Sequence, residues 1–107
     1  MMLTLFWWLI LGHLVCDYPL QTDFIAKFKA RTASLAAVPW YYVMAGHAGT
    51  HAAAVGLLTG SPLLAFLEFI VHFVIDWTKC EGRTNIHVDQ LLHVLCKVAW
   101  VALLGVV

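Results

Sequence analysis

Four apolar stretches make up most of this chain, and each carries histidine or acidic side chains four residues apart. The first covers residues 3–16, reaching toward Tyr18, and ends on His13 and Asp17. The second, residues 39–58, holds His47 and His51. The third, residues 62–78, holds Glu68, His72 and Asp76. The fourth, residues 86–107, holds Asp89 and His93, with Lys97 one further step along. Residues at i and i+4 share one face of a helix, so each stretch predicts an apolar helix with a single polar stripe. A charged Asp at the centre of a helix in lipid costs about 2.5–3.5 kcal/mol. Such stripes must pair, neutralise, face water or close around a cation.

Composition says what solvent these helices meet. Of 107 residues, 63% are apolar and 11% charged, against about 45–50% and about 25% in soluble domains. A soluble domain this short has too much surface to hide that excess. The expected fold is all-α: a polytopic membrane helix bundle of about four transmembrane helices, forming one domain over residues 1–107, with the lipid bilayer as its first partner. The first stretch is short against the roughly 20 residues that cross the hydrocarbon. It lacks a basic leader and a cleavage site, and reads as a retained span. Pro39 suits a first helical position, residues 59–62 (Thr-Gly-Ser-Pro) a stop and turn, and Asn85 a helix cap. Residues 21–37, with Lys27, Lys29 and Arg31 among Phe24, Ile25 and Phe28, read as an interfacial amphipathic helix. Those basic residues, with Lys79 and Arg83, predict that both termini lie on the non-cytoplasmic side. The tryptophans (residues 7, 8, 40, 77 and 100) suit interfacial anchoring. Zero net charge, with the histidines neutral, gives no pointer to nucleic acid. Three cysteines without a CxxC motif make no disulfide framework.

The stripes converge at similar depth, biased to the predicted cytoplasmic half. A divalent ion meets their need directly, because it neutralises carboxylates and accepts imidazole nitrogen. The ligand candidates are His13, Asp17, His47, His51, His72, Asp76, Asp89 and His93. Mixed His and carboxylate donors suit zinc first, with iron and manganese as alternatives, and facing helices of a bundle are a known setting for such ligands. The set exceeds the needs of one tetrahedral ion, so two or more ions fit it. Helix-to-helix hydrogen bonding and a proton or ion pathway draw on the same residue types. Haem held by two histidines fits poorly with so many carboxylates. Glu68, Gln90 and Lys97 are the catalytic candidates: Glu68 or a spare aspartate as general base, and Lys97 or Gln90 to steady developing charge. Gln21 and Asp23 could support the ligands or cap a helix, and His87 falls off the Asp89/His93 face.

The segments HLVCDYPLQTDFIAKFK, GHAGTH, EFIVHFVIDWTK and HVDQLLHVL resemble an uncharacterised bacterial and phage family of small membrane proteins, a domain-of-unknown-function family, over nearly the whole chain. The resemblance implies a membrane setting, with the bacterial inner membrane as the expected location, and no established activity. The chain is more weakly similar to membrane-bound metal-dependent hydrolases thought to relate to zinc-dependent phospholipases C and single-strand nucleases. That similarity implies the same eight ligand candidates. It lacks the N-terminal Trp ligand of the soluble enzymes, since Met1 stands there, and their extra helices.

The expected function is therefore a membrane metal-dependent hydrolase of a phosphoester or lipid-linked substrate. The alternatives are a non-enzymatic metal-binding or proton- or ion-conducting protein, and a phage-type membrane effector. Each is compatible with a homo-oligomer.

Overall fold

The computed structural model describes residues 1–33, 35 and 37–105. Among these it contains five α-helices, one short 3-10 turn and no strand. They are α1 (Met2–Asp17), α2 (Asp23–Phe28), α3 (Trp40–Thr59), α4 (Pro62–Cys80) and α5 (Ile86–Leu104), with the 3-10 turn at Arg31–Ala33 between α2 and α3.

The boundaries follow local chemistry. Ser61 accepts a hydrogen bond from the Leu64 amide at 3.2 Å, with Pro62 opening α4. Asn85 accepts from Val88 at 2.9 Å and caps α5. Thr22 does the same for α2 through Ile25 at 3.2 Å. Gly60 ends α3 at φ +70°, a left-handed conformation that costs an L-residue about 1–2 kcal/mol. The amphipathic segment is shorter than residues 21–37: α2 is six residues long, and the expectation at Ser34 and Ala36 lies outside the described residues. So does the end of the fourth stretch, Val106 and Val107.

The four long helices form a closed ring. α1 packs on α3, α3 on α4, α4 on α5, and α5 back on α1. Each neighbour runs antiparallel: Gly12 lies beside Ala54 and Leu58, Lys97 meets Glu68, and Met2 approaches Gly105. The result is an up-down-up-down bundle with long axis 45 Å. α3 and α4 approach closely because small residues face each other; a Cβ on Gly56 would lie 3.0 Å from the Ala65 Cβ.

Burial is inverted relative to a soluble protein. Among the described residues, ten buried side chains are polar or charged and eight are apolar. The outer face carries exposed Trp7, Leu57, Phe66, Val74, Leu91 and Leu95. Only α5, among the described helices, is long and apolar enough by length and composition to cross a bilayer. The expectation of four such spans is met by one. α1 stops at 16 residues, α4 carries Glu68, Asp76 and Lys79, and histidine, threonine and glycine dilute the apolar content of α3.

Filling the close approach should loosen the bundle. Gly56→Val should lower stability by about 1–3 kcal/mol, the usual range for overpacking, read as a reduced unfolding temperature in detergent. Gly12→Ala, where the closest atom a Cβ meets is the movable end of Leu58 at 3.3 Å and Ala54 is at ordinary contact distance, should cost less.

Candidate metal centre

Five of the six histidines meet inside the ring. His51 and His72 stack with centroids 3.7 Å apart, and His72 and His93 at 4.2 Å. His13 lies 5.1 Å from both His51 and His93, and His47 lies 4.9 Å from His51. All five are buried. His87 is exposed outside the cluster, as its register predicts.

Asp17 is the hub. Its Oδ1 lies 2.8 Å from His51 Nε2 and 3.3 Å from His47 Nε2. Its Oδ2 accepts from Gln90 Nε2 at 2.9 Å and lies 3.3 Å from His13 Nε2. The Gln90 amide oxygen lies 3.0 Å from the same His13 nitrogen. An amide oxygen only accepts, so His13 donates through Nε2, and Gln90 is fixed with oxygen toward α1's histidine and nitrogen toward its aspartate.

Asp17, His47, His51 and His72 each offer a donor atom, and these atoms lie within 4.8 Å of one another; Glu68, His72 and His93 form a second such set. A carboxylate with three imidazoles is a donor set that zinc, iron and manganese accept. Buried polar atoms normally have partners, yet His47 Nε2 and His72 Nε2 make no aligned hydrogen bond, although His47 Nε2 sits 3.2 Å from Asp76 Oδ2. The donors fit a divalent cation.

The lysines divide the remaining carboxylates. Lys29, at the end of α2, is buried and donates to Asp76 Oδ2 and to Gln21 Oε1, both at 2.6 Å. Lys79 lies 3.1 Å from Asp76 Oδ1 and 3.6 Å from Asp89 Oδ2, with 24% of its side chain exposed. Lys97 donates to Glu68 Oε1 at 2.5 Å, where Trp100 Nε1 also donates at 3.0 Å. Glu68 Oε2 accepts from His72 Nδ1 at 3.1 Å. Of the four carboxylates inside the ring (Asp17, Glu68, Asp76 and Asp89), Asp17 alone has imidazole and amide partners and no lysine within ion-pair distance among the described residues.

All eight ligand candidates therefore line one interior, within a single chain. Asp17, His47, His51, His72 and His93 enter the two cation-sized sets. His13 bridges through Gln90, while Asp76 and Asp89 lie beside the sets, engaged by lysines. Of the three catalytic candidates, Gln90 touches Asp17, and Glu68 and Lys97 hold each other deep in the bundle. Lys29, Lys79 and Trp100 are further constituents: the sequence places Lys29 and Trp100 at the interface and Lys79 in the loop between the third and fourth stretches. The signal for Trp100 was available, since it stands at the next helical step beyond Lys97, on the face of Asp89 and His93. Nothing local marked Lys29, whose role depends on how α2 folds back. Outside the cluster, Arg31 grips Glu81 from the exposed surface at 2.8–3.2 Å, and its guanidinium holds the Glu81 carboxyl below the usual carboxylate range.

The family model for "Protein of unknown function (DUF3307)" matches residues 5–107. The chain belongs to this family. No curated protein and no solved structure matches it. Membership of DUF3307 agrees with the resemblance to an uncharacterised family and brings no hydrolase with it. The match spans every residue of both cation-sized sets.

The two ion pairs of the α2 region should respond differently to mutation. Lys29→Met breaks a buried pair and should cost about 3–5 kcal/mol, read by chemical unfolding in detergent. Arg31→Ala breaks an exposed pair and should leave the unfolding midpoint where it was.

Proposed function

We propose that α1, α3, α4 and α5 all cross a bilayer, and that the protein is an integral-membrane metal-dependent hydrolase of a phosphoester or lipid-linked substrate. The observation that carries this reading is the set of half-buried Asp17 with buried His47, His51 and His72, with donors within 4.8 Å of one another and no lysine on its carboxylate.

The inverted burial supports the membrane setting. Lipid accommodates the exposed apolar face, and the ring lets polar side chains satisfy each other away from it. The polar interior is one-ended, which favours a site over a conduit. Beyond Lys97 the bundle is closed by the apolar cluster of Leu9, Val55, Leu64 and Trp100, backed by Leu5, Leu67 and Val101. At the other end Asp17, Gln90 and Lys79 are half-buried, so that end is the mouth.

Zinc is the first candidate ion, with iron and manganese next. Bound, it would polarise a phosphoryl oxygen and bring the pKa of a coordinated water near neutrality. The chain's own residues supply the rest. Gln90 orients Asp17. Lys79, partly exposed between Asp76 and Asp89, is placed to meet an incoming phosphate. Asp89, beside Gln90, is better placed than Glu68 to take a proton, because Lys97, Trp100 and His72 already occupy Glu68.

Elemental analysis of purified protein tests the metal. A divalent ion should copurify, and His51→Ala should weaken it by more than about tenfold, equivalent to about 1.4 kcal/mol. Metal-free protein whose stability ignores added zinc and manganese would sink the reading. Proteoliposomes then separate the functions: hydrolysis of a lipid phosphoester without ion flux supports the enzyme, whereas flux that is lost in His72→Ala supports transport.

A further inference from the structure

The second cation-sized set, Glu68, His72 and His93, shares His72 with the first. It lies deeper in the bundle, next to the apolar cluster. Taken by donor type alone, the two sets describe a pair of metal ions bridged by one histidine. The contacts of Glu68 argue otherwise.

We infer that the chain holds a single divalent ion, because the ammonium group of Lys97 stands where a second ion would neutralise Glu68. This rests on the metal reading above and narrows it. Lys97 is 1% exposed and its Nζ lies 2.5 Å from Glu68 Oε1. The same oxygen accepts from Trp100 Nε1 at 3.0 Å, and the other accepts from His72 Nδ1 at 3.1 Å. Both carboxylate oxygens are thus engaged by donors. A second ion would have to displace an ammonium that cannot reach water, since Lys97 points into an interior closed by Leu9, Val55 and Leu64.

The hydrogen bond to Glu68 also directs His72. A carboxylate accepts, so Nδ1 carries the proton. Neutral His72 then presents a bare Nε2, the atom that lacks an aligned partner. This is the carboxylate–histidine arrangement that orients a metal ligand from behind. Glu68 is a positioning residue, and Lys97 holds it in that position. Lys97 gives Glu68 an ion-pair partner that belongs to the chain itself.

The two sites therefore differ in what they lack. Asp17 has no cation of its own and recruits one from solution. Glu68 has a cation built into the chain. Removing Lys97 should open the second set to an ion: Glu68 becomes an unmatched buried carboxylate next to His93, whose Nδ1 is also without a partner, and where His72 bridges the two ions its Nδ1 proton is released to solvent.

The experiment counts zinc per chain by equilibrium dialysis and elemental analysis of the full-length protein in detergent, with zinc as the only added ion. Wild type should hold one. Lys97→Met should hold two, and the charge-neutral pair Glu68→Gln/Lys97→Met should return to one. Two ions in wild type, or one in Lys97→Met, overturns the inference while the metal reading stands. No ion in wild type overturns the metal reading and this inference with it. If Lys97→Met fails to fold, the wild-type count and the double variant, which buries no lone charge, still decide. Two ions in that double variant would show that Glu68 is no ligand and overturn the assignment.

Discussion

Inside the ring of helices, negative charge is matched locally. Asp76 is held by Lys29 and Lys79, and Glu68 by Lys97, each at ion-pair distance. Asp17 is surrounded instead by imidazoles and one amide. Breaking a buried pair leaves an uncompensated charge worth several kcal/mol, so these contacts constrain which helices can be neighbours. Asp17 ties α1 to α3 and α5, Glu68 ties α4 to α5, and Asp76 ties α4 to α2 through Lys29 and to α3 through His47. The cyclic order of the bundle is the order in which these carboxylates find partners.

The apolar side chains have a different task. Eight of them are buried among the described residues, and several of these cluster at one end of the bundle. Small residues at the α3–α4 contact bring the backbones together, as Gly56 against Ala65 shows. Close approach of this kind favours dispersion contacts and short reach between polar side chains. It places His47 and His51 of α3 against His72 of α4, with ring centroids 3.7–5.1 Å apart.

Much of this was legible in the sequence because helical periodicity is a local property. The i, i+4 spacing by itself puts Asp17, His51, His72 and His93 on inward faces, and Pro62, Asn85 and Gly60 mark where helices start and stop. What the sequence hid is non-local. Lys29 reads as an interfacial lysine because its neighbours in the chain are amphipathic; its burial depends on Asp76, 47 residues away. Trp100 reads as an anchor by residue type, and only Glu68 on a facing helix makes it a hydrogen-bond donor. The division of carboxylates between lysine and imidazole is likewise invisible to spacing, since it is decided by which helices face each other.

The long sequence separations in the Asp17 network also bear on how such a chain is made. α1 is synthesised first, yet His51 follows its aspartate by 34 residues and Gln90 by 73. On the membrane reading, α1 leaves the ribosome carrying a stripe whose partners do not yet exist. The polar shell of Asp17 is then complete only once α3 and α5 both stand beside α1.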